Sequence, residues 1–61
     1  MTLRQARDAA EAWSEKGRRI LVIQAKNGEV RTGYYWESDS DIVPPEQIVA
    51  VYQDGKEAPI D

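Results

Sequence analysis

Hydrophobic positions in the first quarter of the chain follow a helical period. Leu3, Ala6, Ala10 and Trp13 recur at helical spacing with Ala9 beside them, while Arg4, Asp8, Glu11 and Glu15 occupy other faces, which predicts an amphipathic helix over residues 3–16. Thr2 and Gln5 have the capping-box spacing, the threonine oxygen accepting from a first-turn amide and the glutamine side chain reaching back to the cap. Lys16-Gly17 supplies the stop, with glycine suited to a left-handed cap and lysine near the negative end of the helix dipole. The alanines let the helix axis approach a sheet closely, leaving Leu3 and Trp13 to fill the ends of that interface.

The pattern then changes to that of strands. Residues 20–26 (ILVIQAK) and 29–36 (EVRTGYYW) flank Asn27-Gly28, the strongest short signal for a hairpin closed by a two-residue type I′ turn. Strands are expected over 19–26 and 29–36. That turn pairs Lys26 with Glu29, Ile23 with Thr32, Val22 with Gly33, Leu21 with Tyr34 and Ile20 with Tyr35. One face then carries Leu21, Ile23, Ala25, Val30, Tyr34 and Trp36, which read as core under the helix with Ala10 and Trp13. The other carries Ile20, Val22, Gln24, Lys26, Arg31, Gly33 and Tyr35. Residues 37–41 are polar and turn-prone, and Pro44-Pro45 forbid a central strand because neither donates a ladder hydrogen bond. A third strand is expected over 48–53 (IVAVYQ), closed by Asp54-Gly55; both of its alternating sets are apolar, so the pattern leaves its faces open. Residues 56–61 read as a loose tail, with Pro59-Ile60 as candidates for a short edge segment. The expected fold is one small α+β domain over residues 1–61: an amino-terminal helix packed on a three-stranded antiparallel sheet, in the order α-β-β-β.

Residues 20–36, with a helix before them and Gly33 in the second strand, resemble the opening strands of SH3-like and Sm-like barrels. The resemblance covers about a quarter of the chain in generic hairpin chemistry. It implies a small partial barrel as the alternative fold and carries no functional residue with it.

Composition narrows the chemistry. With no cysteine and no histidine, the chain has no disulfides, no thiolate or imidazole zinc site, and no Ser-His or Cys-His catalysis. A catalytic centre is not expected, because a domain this small has little volume for a pocket that excludes water, and no cofactor is implied. The longest apolar run, residues 20–23, is far too short to span a membrane, and no signal-peptide core is present at the amino terminus, so the expected location is cytoplasmic. Charge is unevenly spread: residues 1–31 carry a balance of +3 and residues 32–61 a balance of -6, within a net charge of -3. Folding that interleaves the two halves would neutralise most of this difference.

If the helix covers one sheet face, Ile20, Val22 and Tyr35 remain on the uncovered one, with Arg31 beside them. This set is the expected protein-interaction site, serving a homodimer or docking on a larger protein. A second reading takes Lys26, Arg31 and Tyr35 as a phosphate-and-base contact of a small nucleic-acid-associated regulator, although the acidic net charge opposes it. Gly33 beside Tyr35 leaves a shallow gap for a partner side chain or relieves strand twist. Glu37, Asp39 and Asp41 alternate like the first ligands of a calcium loop, but Ile42 stands where the glycine turn belongs and Ile48 where the bidentate glutamate belongs, so an acidic solvated loop is expected.

Overall fold

The computed structural model describes residues 1–39 and 43–60. Helix α1 spans Leu3–Ser14 with the complete capping box: Thr2 Oγ1 accepts from the Gln5 amide at 3.1 Å, and Gln5 Oε1 accepts from the Thr2 amide at 2.9 Å. Glu15 caps its carboxyl end, and Gly17 follows at φ +84°, the left-handed conformation expected there. Strands β1 (Arg19–Gln24), β2 (Val30–Tyr34), β3 (Ile48–Gln53) and β4 (Lys56–Ala58) form an open antiparallel sheet in the order β2-β1-β3-β4. Two short helices, α2 (Trp36–Asp39) and the 3-10 turn Pro45–Gln47, lie between β2 and β3. The fold is therefore α+β, one amino-terminal helix on a four-stranded antiparallel sheet.

The sheet has four strands rather than the expected three because Asp54-Gly55 turns the chain back. Asp54 and Gly55 both have positive φ, at 56° and 77°, between the paired residues Gln53 and Lys56, the geometry of a two-residue type I′ turn. Residues 56–58 of the expected loose tail thus become a short edge strand. With β2 and β4 as the two edges, the sheet does not close, and the partial-barrel alternative is not formed.

The Asn27-Gly28 hairpin exists with a different turn. The Ala25 amide donates to the Glu29 carbonyl at 2.8 Å and the Gly28 amide to the Ala25 carbonyl at 2.9 Å. Gly28 has φ +89°, whereas Asn27 does not enter the positive region. The loop therefore holds residues 26–28, a turn followed by a left-handed glycine. Asn27 Oδ1 favours this form by accepting from the Glu29 amide at 3.0 Å. The extra residue shifts the pairing by one, to Ile20–Tyr34, Leu21–Gly33, Val22–Thr32 and Ile23–Arg31. A one-residue slip exchanges the faces of a strand.

Accordingly the helix covers the opposite face from the expected one. Ala6 and Ala10 pack on Ile20, Val22, Ala50 and Tyr52, with Val30 and Val49 at the margins. Leu21, Ile23 and Val51 turn to the other face, where Val43 covers them with Ile48 and Ala58 beside them. A bulge between Val22 and Ile23 in the β1–β3 pairing brings Ile48 opposite Ile23, leaves Val49 out of the register, and puts Val49 and Ala50 on the helix side. The unassignable apolar sets of β3 are explained by this: both faces of the sheet are covered. Full burial of an Ile, Leu or Val side chain contributes roughly 1.5–3 kcal/mol, and β1 places four such residues in succession in the two cores.

Candidate functional site

The expected interaction face of Ile20, Val22, Arg31 and Tyr35 is not assembled. Ile20 is 2 % exposed and Val22 fully buried, both beneath α1, so neither is available to a partner; the register shift is the physical reason. Arg31 lies on the other face, with its guanidinium engaged by Glu37. Tyr35 follows β2, where its amide donates to the Arg19 carbonyl at 3.2 Å, and its side chain is exposed. Lys26 sits in the hairpin loop at the far end of the β1–β2 pair from Tyr35, so Lys26, Arg31 and Tyr35 do not form one contact surface.

The gap beside Gly33 is filled from within the chain. A Cβ at this position would meet Glu37 Oε2 at 2.5 Å and Ile23 Cδ1 at 2.7 Å, so only glycine lets the Glu37 carboxylate settle against β2. There Glu37 Oε2 accepts from the Tyr34 amide at 2.8 Å and Oε1 from Arg31 Nη2 at 3.0 Å, while Arg31 Nη1 donates to the Thr32 carbonyl at 3.2 Å. The bonds of Ala25 and Tyr35 to the facing strand put the backbone groups of Thr32 and Tyr34 on the outer edge of β2. Glu37 and Arg31 therefore occupy part of the edge that another strand would use. The Arg31 hydrogen bond, opposed by burial and reinforced by the Tyr34 amide, holds the Glu37 carboxyl below its ordinary value of 4.5. Sequence reasoning placed Glu37 in a solvated loop; its spacing from Arg31 and Gly33 was the one available signal. Of the calcium-like alternation, Asp41 and Ile42 lie outside the described residues, and among the described residues no cluster of acidic side chains could hold a metal.

Three large aromatic residues expected in the core are on the surface: Trp13 is 53 % exposed, Tyr34 40 % and Trp36 49 %, beside Tyr35, which was expected outside the core and is 53 % exposed. With alanines at 6 and 10, the buried stripe of α1 continues to Ser14, four residues on, and Trp13 turns outward. Ser14 tolerates full burial because its Oγ donates to the Glu11 carbonyl at 2.8 Å and accepts from the Gly55 amide at 2.9 Å. Tyr34 and Trp36 stack at 5.7 Å with their planes 12° apart.

These aromatics belong to one continuous surface at the end of the sheet where α1 stops. A hollow of about 490 Å³ is lined by Gly17, Arg18, Arg19, Tyr34, Tyr35 and Gln53. A second, of about 320 Å³, runs from Trp13 past Tyr34 and round the β2 edge to Glu37. A third joins Trp13 to Lys16 and Arg18. Tyr34, Trp13 and Arg18 are each shared between two hollows, so the three are adjoining depressions in one aromatic and cationic patch. Among the described residues the ion pairs are Arg7–Glu57 at 3.3 Å and Arg31–Glu37 at 3.0 Å, each joining the basic first half to the acidic second. Lys16, Arg18 and Arg19 enter neither pair.

Such a patch offers exposed aromatic area, with one pair of rings stacked and cationic donors at its rim. No helix among the described residues is long and apolar enough to cross a membrane. Compared with protein-family models, curated proteins and solved structures, the chain matches none.

Proposed function

We propose that this chain is a non-enzymatic protein-interaction module whose contact surface is formed by Trp13, Tyr34, Tyr35 and Trp36. The observation that carries the reading is the distribution of aromatic residues: of the two tryptophans and three tyrosines, Tyr52 alone is buried, while alanine, valine, isoleucine and leucine fill both cores. Exposed aromatics gathered in one patch bury much area at small entropic cost and are the residue types that dominate protein interfaces. Both faces of the sheet are already covered, so association runs through this end surface and not through an open sheet face. The nucleic-acid reading is weaker, because Arg31 is drawn onto Glu37 and Lys26 stands apart from Tyr35.

The test is the double substitution Trp13→Ala with Tyr35→Ala. Sedimentation equilibrium reads self-association, and co-purification from the source cell reads association with other proteins. The expected outcome is association by the wild type, its loss in the double variant, and a Tm within about 4 °C of wild type because the altered side chains are half exposed. Undiminished association by a folded double variant, or no association by the wild type, would contradict the reading.

A further inference from the structure

Resting on that reading, we infer that the hollow between the end of α1 and the end of β2 takes an acidic peptide segment of another protein, with carboxylates on Arg18 and Arg19 and an apolar side chain against Tyr34 and Tyr35. Charge complementarity commits the occupant. Among the described residues two arginines and no carboxylate line this hollow, and the adjoining hollow adds Lys16. None of these cations takes part in an ion pair among the described residues, and Glu15, their acidic neighbour in sequence, lies against Gly55.

The guanidinium is planar and matches a carboxylate with paired hydrogen bonds, and it carries a weaker hydration shell than an ammonium group. Two of them beside tyrosine rings therefore suit a ligand that alternates carboxylates with apolar groups. A nucleic acid also carries anions and stacking surfaces, but its affinity comes mainly from neutralising many phosphates. Three cations on a chain of net charge -3 supply little of that. A second copy of this chain would bring its own basic end as well as its acidic half, whereas a separate acidic segment meets only the cations.

Fluorescence anisotropy with short labelled probes tests the inference. The probes are an acidic peptide with phenylalanine between glutamate pairs, the same peptide with lysine for glutamate, and single-stranded oligothymidylate. The wild type is expected to bind the acidic peptide saturably and to lose affinity with salt. Arg18→Ala should weaken binding about tenfold, the equivalent of one charge-assisted contact, and Lys26→Ala should leave it unchanged. Equal binding of the lysine peptide, tighter binding of oligothymidylate, or indifference to Arg18→Ala in a folded variant overturns the inference. Absence of peptide binding alongside self-association abolished by the Trp13 and Tyr35 substitutions overturns it too, while leaving the interaction module standing. Loss of both together removes the module as well.

Discussion

Gly33 and Glu37 act as one unit, and the consequence of altering either can be stated. A methyl group at Gly33 would stand 2.5 Å from the Glu37 carboxylate and 2.7 Å from Ile23. Gly33→Ala should therefore cost about 1–3 kcal/mol by overpacking, measured by chemical denaturation; a neutral result would mean that Glu37 does not rest on β2. Because the folded-state pKa of Glu37 is lowered, the carboxylate contributes stability above the unfolded-state pKa. That contribution is lost as pH falls through the folded-state value. Wild type should thus lose more stability than Glu37→Gln on acidification from neutral pH to below the ordinary glutamate range, and the two should converge there. Parallel pH profiles would contradict the Arg31–Glu37 geometry.

At the scale of elements, the helix, its cap, the hairpin position and the third strand were all legible, since each rests on local chemistry: Thr2 and Gln5, Gly17, Asn27-Gly28, the run 48–53. The register of the hairpin was not. Residues 20–23 are apolar without interruption, so either face of β1 is a credible core, and the choice fell to the Asn27 side chain and to packing with Ala6 and Ala10. The same turn rule that misassigned Asn27-Gly28 describes Asp54-Gly55, where its use would have revealed β4. Trp13 was misplaced because it shares a helical period with Leu3, Ala6 and Ala10, whereas Ser14 continues the buried stripe of Ala6 and Ala10 and ties α1 to the β3–β4 turn. Ser14→Ala leaves the Gly55 amide without that acceptor and should cost about 1–3 kcal/mol. A destabilisation within error would show that the helix and the turn are not coupled through this bond.

For the molecule as a whole, a short chain covers both sides of its sheet, one with α1 and the other with Val43 flanked by Ile48 and Ala58, and leaves its exposed aromatics at one end. The site residues read from the sequence were displaced by this arrangement as a group: Ile20 and Val22 went into the core, Arg31 onto Glu37, and Tyr35 alone stayed on the proposed surface. Charge asymmetry was legible only in part. Its two halves are joined by Arg7–Glu57 and Arg31–Glu37, and three of the cations outside these pairs, Lys16, Arg18 and Arg19, line the hollows beside the aromatics. The surface exists only if β1 and β2 pair as described, because the alternative register would bury Tyr34 and Trp36 and expose Ile20 and Val22. The direct measurement is the set of cross-strand Hα–Hα nuclear Overhauser effects, which are strongest between closely approaching non-hydrogen-bonded pairs. Contacts of Ile20 with Tyr34 and of Val22 with Thr32 are expected; contacts of Leu21 with Tyr34 and of Ile23 with Thr32 would contradict the account.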